Sequence, residues 1–502
     1  MSLLDWIVLL GTMIGIAAYG TWRTRHTDNL NTYLKGNRNT GWLTIGLSVM
    51  ATQASTITYL SLPGQAYENG IAFIQNYFGL PLALILVCAV FLPIYRKLGV
   101  YTAYEYLGQR FDRKTRLLGA SLFLLQRGIQ SGITIYAPAI ILSTVLGWRL
   151  EPTIICTGLL AIVYTVTGGS AAVNLTQRWQ MAVIFGGMIT AFVVLLSRLP
   201  DDALHIAGAM GKLQAVDYTP DPKVRYTFWS GILGGFFLSL SYFGTDQSQV
   251  QRYIGGAALR EGRLGLMFNA LLKIPMQFGI VILGALLFVF YQFQPSTPVV
   301  FNQTHWQRQV QGEDGAKFRA LEEKHATLHA DKNAKIRAWA DARDAGNPTL
   351  EATARLELAA AQKASETVRK EALAVLQAAD PETKKTKDSD YVFITFILTQ
   401  LPHGAIGLLL AVMFASALSS KAGELNALGT TSTIDLWRHF RPLAAHDEPR
   451  NVRNAKWFTA VWGIFAISFA LFVSFTENLI EALNIVASIF YPALLGVCVV
   501  AF

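Results

Sequence analysis

Apolar runs long enough to cross a lipid bilayer recur along this chain, and no water-soluble fold accommodates so many. A spanning helix needs about 20 predominantly apolar residues. On that measure the sequence predicts about eleven spans, near residues 4–22, 41–62, 71–95, 116–145, 152–169, 178–199, 228–254, 264–292, 403–437, 456–475 and 479–502. In lipid every backbone polar group has to be satisfied within the protein, which helices do locally. The expected fold class is therefore an all-α polytopic membrane protein. Composition agrees: 52% of residues are hydrophobic and 15% charged, against about 25% charged in soluble domains. The first run lacks a basic leader and a small-residue cleavage site, so it reads as a retained helix rather than a signal peptide. Cys88, Cys156 and Cys498 lie in apolar runs and form no metal-binding pattern.

The charges set an orientation. A net charge of +9 would suggest nucleic acid in a soluble protein. Here Lys and Arg collect in alternate loops, the mark of the cytoplasmic side, and no nucleic-acid partner is expected. The basic loops follow the first span (Arg23, Arg25, Lys35, Arg38), the third (Arg96, Lys97, Arg110, Arg113, Lys114), the seventh (Arg252, Arg260, Arg263) and the ninth (Arg438, Arg441, Arg450, Arg453). The loops between carry Glu68, Asp201, Asp202, Asp217 and Asp221. The N-terminus is thus expected outside, in a cell membrane such as a bacterial inner membrane.

Residues 295–390 are too polar to enter lipid. Asp314 to Ala345 and Thr349 to Ala379 are rich in helix formers. Gly346-Asn347-Pro348 separates them and Asp380-Pro381 closes the second. This predicts a polar helical hairpin on the outer face, either a loop insertion or a solvated arm that binds a partner. It divides the chain into a first core segment (1–294), the insertion (295–390) and a second core segment (391–502). The chain stops inside an apolar run at Val499-Val500-Ala501-Phe502, and further helices are expected beyond it.

Polar groups at membrane depth are costly and mark pathways when they face the interior. The second span contains Thr52-Gln53-Ala54-Ser55-Thr56-Ile57-Thr58. Ser and Thr can bond back to their own helix; alternatively the helix is broken, and its freed carbonyls and hydroxyls bind an ion or solute. In the ninth span Ser416, Ser419 and Ser420 share one face, and oxygen groups of this kind suit a hard cation. Lys421 and Glu424 follow at i, i+3 spacing. Asp246 closes the seventh span, either at mid-depth or as a surface partner of Arg252. Lys273 precedes Pro275 in the eighth span and could snorkel to the interface. Gly168-Gly169 and Gly234-Gly235 read as close-packing or hinge sites. The sequence contains no H-E-x-x-H, P-loop or G-x-S-x-G motif, so neither a membrane enzyme nor an ATP-driven pump is expected.

Five segments together resemble the sodium/solute symporter family, which includes sugar, sialic acid, proline, iodide and vitamin carriers. They are Ser48 to Tyr67, Tyr101 to Leu107 with Arg110-Phe111, Tyr164 to Gly169, Asp246 to Tyr253, and Phe414 to Asp435 around Ser419-Ser420. The resemblance implies a LeuT-type fold: two inverted five-helix repeats after an extra N-terminal helix. It implies a sodium ion held by the carbonyls of Ala51, Ala54 and Ser416 and the hydroxyls of Ser419 and Ser420. It also implies a solute site among Gln53, Ser55, Thr58, Asn76, Tyr77, Gln130, Asp246, Gln247 and Lys273. Members with a second sodium site carry an aspartate and further hydroxyls where this chain has Gln177, Ala422 and Gly423. A single sodium is therefore expected, with Lys421 and Glu424 as a coupling pair. Gln130 stands where the sialic acid carrier has arginine, although Arg127 is one turn away. The implied function is sodium-coupled symport of a small organic solute such as a sugar or carboxylate. The alternatives are a transporter-like solute sensor and a proton-coupled carrier.

Overall fold

A computed structural model describes residues 1–24, 41–221, 223–441, 448–473 and 478–501. The basic residues Arg25, Lys35 and Arg38 and the terminal Phe502 lie outside them.

Helices alone carry the fold. α1 (Leu3–Thr24) is followed by a span in two pieces, α2 (Trp42–Gln53) and α3 (Thr56–Asn69). Next come α4 (Ile71–Leu98), the short α5 (Ala103–Arg110), α6 (Arg113–Leu146), α7 (Leu150–Leu196) and the short α8 (Ala203–Ala209). A second two-piece span, α9 (Ser230–Gly244) and α10 (Gln247–Ile254), precedes α11 (Leu259–Phe293). The insertion holds α12 (Gln303–Val310), α13 (Gly315–Asp344) and α14 (Pro348–Ala379). A short α15 (Val392–Gln400) leads into α16 (Ala405–Phe440), α17 (Glu448–Phe472) and α18 (Leu479–Ala501). Among the described residues seven helices are long and apolar enough to cross a membrane by length and composition. Shorter apolar helices at 3–15, 150–166 and 230–244, together with the broken α2/α3, occupy the other expected spans.

The fifth and sixth expected spans are joined in α7, which runs 47 residues. A straight helix of that length would measure about 70 Å, more than twice the hydrocarbon core of a bilayer. Yet both ends of α7 lie on the insertion side. Arg149 donates to Glu382 of the insertion at 2.9 Å, and Arg198 donates to Gln400 at 2.9 Å. The element therefore returns to the side from which it started.

The two broken spans run in opposite directions. α2 starts beside Glu261, which accepts from the Trp42 N–H at 2.7 Å, and α3 ends at Glu68, paired with Lys387 of the insertion segment at 2.8 Å. α9 starts from the insertion side, near Tyr226, whose carbonyl accepts from Gln75 at 2.9 Å. α10 ends where Arg96 donates to the Gly256 carbonyl at 2.7 Å on the opposite side. Each broken helix opens a set of five spans, as an inverted repeat requires.

Glycine permits the closest crossings. A Cβ on Gly64 of α3 would overlap the Ser389 carbonyl, so the segment 388–391 rests directly on the backbone of α3. Gly235 likewise faces the Asn76 carbonyl, whereas Gly234 meets nothing within 4 Å. Of the pair expected to pack closely, only Gly235 does so; the side-chain surroundings at Gly168-Gly169 fall outside the description.

The insertion is a folded unit docked on the spans. Its hairpin turns at Gly346, which takes φ 63°, a left-handed geometry open to glycine. Asn347 caps α14 by accepting from the N–H groups of Thr349 and Leu350, with Pro348 in the first turn. Trp306, Phe318, Leu321, Val368, Ala372 and Leu376 form a small apolar core with Val299 and Val300. Lys385 reaches Glu151 at 3.0 Å, Asn333 donates to the Gln292 carbonyl at 3.2 Å, and Arg337 lies over the Phe293 ring. The hairpin thus sits on the ends of α7 and α11 and is not a solvated arm.

Candidate functional site

Both broken spans are interrupted within the membrane; the first break lines a cavity that α9 of the second span also lines. In the first, Ala54 (φ −88°, ψ 68°) and Ser55 (φ −72°, ψ 173°) leave the helical region between α2 and α3. The last carbonyls of α2 therefore have no following helical N–H to accept from. In the second, Thr245 and Asp246 (φ −78°, ψ 117°) separate α9 from α10. Asp246 caps α10, accepting from the Ser248 N–H at 2.9 Å and the Ser248 hydroxyl at 2.7 Å.

α16 meets the first break. The Ser416 hydroxyl donates to the Ala54 carbonyl at 3.2 Å, and the Ser420 hydroxyl donates to the Thr52 carbonyl at 3.3 Å. Thr56 donates back to the Met413 carbonyl at 2.7 Å. The Ser419 hydroxyl is buried and has no hydrogen-bond partner among the described residues. Ala51 is buried one turn before Ala54. The five expected sodium ligands thus sit on two adjoining strips, the end of α2 and one turn and a half of α16. Hydroxyls, carbonyls and an orphaned Ser419 oxygen form an oxygen-only donor set, the chemistry a hard cation prefers. Gln177 lies close by, accepting from Ser48 at 2.6 Å and donating to Thr52 at 3.3 Å. Its amide occupies the position where an aspartate was the family expectation.

The cavity at the first break encloses about 140 Å³. Gln53, Ser55, Thr58, Asn76, Tyr77 and Gln130 all line it, as the resemblance implied. Three other expected residues do not. Gln247 turns away, donating to the Tyr101 carbonyl at 2.8 Å and accepting from the Ala103 N–H at 3.2 Å. Lys273 is buried behind Tyr77, its Nζ 5.9 Å from that ring and without a hydrogen-bond partner among the described residues; it does not snorkel to an interface. Asp246 stands behind the wall, reaching the cavity only through its partners.

Those partners are the residues that the sequence pattern missed. Arg127 of α6 pairs with Asp246, and Tyr491 of α18 donates to the same carboxylate at 2.8 Å. Asp246 is therefore not a surface partner of Arg252, which lies in α10 against Gly423 of α16. Arg127 also faces Glu424 at 3.6 Å, and Glu424 pairs with Lys421 at 3.2 Å. Lys421 donates to the carbonyl of Ser131 and the hydroxyl of Thr134, and Thr134 donates to Glu424 at 2.9 Å. A chain of alternating charge, Asp246–Arg127–Glu424–Lys421, thus joins the second break to α16. No member is more than about 6% exposed. Two acids and two bases sum to zero, which is the condition under which buried charges are tolerated. The signal for Arg127 was present in the sequence: an arginine deep in an apolar span is a site candidate by default.

Comparison with known proteins follows the same outline. A structure of a Na+-coupled sialic acid symporter, in a substrate-bound outward-open state, superposes with a TM-score of 0.72 at 21% identity, covering 100% of this chain and 86% of that one. It shows that the fold is shared. The human sodium/iodide cotransporter is 33% identical over 284 residues, which is 56% of this chain and 43% of that protein. Human sodium-coupled monocarboxylate transporter 1 is 33% identical over 53% of this chain and 44% of its own length. The rabbit (Oryctolagus cuniculus) sodium-dependent multivitamin transporter is 31% identical over 59% of this chain and 47% of its own. The chain spans less than half the length of these relatives. The sequence model of the sodium:solute symporter family matches residues 33–305 and 338–502, leaving out residues 1–32 with α1 and most of α12 and α13 in the insertion. With two broken helices around one cavity, serines of α16 on the first break and a match over most of its length, the chain belongs to the sodium:solute symporter family.

Proposed function

We propose that this protein is a secondary active symporter that carries a small polar organic solute together with sodium by alternating access. The observation that carries the reading is the meeting of Ser416, Ser419 and Ser420 with the carbonyl end of α2, at the edge of a cavity bounded by the first helix break and by α9. An ion bound there would tie α16 to α2 and complete the wall of the solute cavity, so that ion and solute favour the same conformation. Sodium's proposed ligands are the carbonyls of Ala51, Ala54 and Ser416 and the hydroxyls of Ser419 and Ser420.

The solute would meet the amides and hydroxyls of Gln53, Ser55, Thr58, Asn76 and Gln130, with Tyr77 as an apolar wall. Arg127 is held between two carboxylates, so its charge is spent within the protein. This favours a neutral or weakly charged polar solute for the central cavity. Lys421 serves as a built-in cation, replacing a second sodium and giving one sodium per solute. The protein lies in the cell membrane with its N-terminus and insertion outside. The basic ends of α4, α10 and α16 then face the cytoplasm.

The test is solute uptake in proteoliposomes under an imposed sodium gradient. Replacing Ser419 and Ser420 together by Ala removes two of about five ligands and is expected to raise the sodium concentration for half-maximal uptake at least tenfold. An unchanged sodium dependence overturns the site assignment. A sodium-to-solute ratio of two in the native protein overturns the role given to Lys421.

A further inference from the structure

A second cavity, of about 250 Å³, lies where the hairpin sits on the spans, enclosed by α13, α14 and the insertion-side ends of α3 and α11. Its charged lining comprises Lys212, Lys332, Arg369, Glu68 and Glu366, with two histidines, His325 and His329. Most of these charges are already engaged. Arg369 pairs with Asp388 at 2.6 Å, and Glu68 pairs with Lys387 at 2.8 Å. Lys212 donates to the carbonyls of Tyr67 and Glu68, at 3.0 and 2.5 Å, closing the end of α3. What remains is Lys212 and Lys332 against Glu366, an excess of one positive charge.

The unengaged polar groups cluster on α13. Lys332 is 8% exposed and has no hydrogen-bond or ion-pair partner among the described residues. His325 and His329 stack at 5.7 Å. One nitrogen of His329 contacts the Gln294 carbonyl at 3.1 Å, while its buried Nδ1 has no partner. The rings of Phe288 and Tyr291 line the same cavity, with the Lys212 ammonium 4.3 Å from the centre of the Phe288 ring. A buried ammonium and an unpaired imidazole nitrogen beside aromatic rings are costly unless something completes them.

We propose that this cavity is a binding site for a small organic monocarboxylate, separate from the central cavity, with Lys332 holding the carboxylate and Phe288 and Tyr291 holding the apolar body. One excess positive charge matches a monoanion better than a phosphate dianion. Burial and the neighbouring Arg369 lower the Lys332 ammonium to about 8, with Glu366 opposing. Burial lowers both imidazoles to about 4. At neutral pH Lys332 is therefore charged and the histidines are neutral, and a bound carboxylate relieves the crowding that depresses Lys332. Lys332, His325 and His329 lie in residues 306–337, outside the family match.

Isothermal titration of the purified full-length protein with benzoate, in sodium-free buffer to silence the central site, tests the proposal. Benzamide and inorganic phosphate are the comparison probes. Benzoate is expected to bind at least tenfold more tightly than either, with affinity falling as pH rises through 8 and Lys332 loses its proton. Lys332→Met should weaken benzoate at least tenfold, with sodium-driven uptake retained, and Lys332→Arg should restore part of the loss. Equal binding of benzamide, or unchanged benzoate affinity in Lys332→Met, overturns the site. Should both lysine variants misfold, the pH profile of the native protein decides, and a benzoate affinity unchanged from pH 7 to about 9, across the Lys332 titration, overturns the proposal equally.

Discussion

The alternating chain Asp246–Arg127–Glu424–Lys421 makes a quantitative demand on mutagenesis. Lys421→Met leaves two buried carboxylates facing one arginine, a net charge of −1 in a region no more than about 6% exposed. Removing one partner of a buried pair costs about 3–5 kcal/mol, because the other charge is left uncompensated. Glu424→Gln errs the other way, leaving Arg127 and Lys421 against Asp246 alone, at similar cost. The double variant Lys421→Met/Glu424→Gln restores neutrality: Asp246 and Arg127 remain paired, Tyr491 still donates to Asp246, and the lost charges go together. Independent sites would add within about 0.5 kcal/mol, giving roughly 6–10 kcal/mol for the double variant. Neutrality predicts a cost no larger than either single change, hence a coupling of about 3 kcal/mol or more. Unfolding in a fixed detergent, followed by tryptophan fluorescence at constant sodium, measures the three variants against the native protein. Additive costs would refute the charge-chain account and leave Lys421 as an incidental buried amine.

Four further outcomes are expected. Gly64→Ala drives a methyl into the Ser389 carbonyl and should destabilise by a few kcal/mol; a native melting temperature would show that the contact is slack. Lys273→Met removes a buried, unpartnered ammonium and should raise the melting temperature, with a smaller loss of uptake than Arg127→Gln; the reverse order would place Lys273 in the solute site. Burial pushes the Asp390 carboxyl up to about 7, although Asn478 donates to it at 2.8 Å. Its native form therefore favours the proton, stability falls as pH rises from about 4 to 7, and Asp390→Asn should flatten that slope. Cysteines placed at exposed positions of the hairpin turn should react with an impermeant thiol reagent on intact cells, and protection would reverse the proposed orientation.

The helices and the first break were legible because their signals are local. A polar run inside an apolar span has few explanations, and the structure places the interruption at Ala54-Ser55. The serines of α16 were legible for the same reason: three hydroxyls on one face of a buried helix. What stayed hidden depends on contacts between distant segments. Arg127 stands out as a charge in α6, but its link to Asp246 spans 119 residues, and no periodicity encodes it. Lys273 and Gln53 look alike as polar groups in apolar helices, yet only one faces the cavity, because helix phase does not say which neighbour a face meets. The return of α7 was read as two spans with a loop, since length alone separates spans but says nothing about how they join. The docking of the hairpin was missed because its apolar residues are sparse, while ion pairs and carbonyl contacts hold it in place.

The seating of Ser389 on Gly64 gives the insertion a mechanical role. With no side chain between the two backbones, α3 cannot tilt without carrying the segment 388–391, and Arg369 passes that displacement to α14 through Asp388. Hydrogen bonds from His329 and Asn333 hold α13 to the end of α11, so the hairpin straddles two spans as a lever. From Asn333, where α13 is held, the helix runs about 20 Å to the turn at Gly346, and a tilt of about 5° moves the turn by about 2 Å. A fluorophore on the exposed turn near Gly346 would therefore amplify a motion of α3 that is nearly invisible at the break itself.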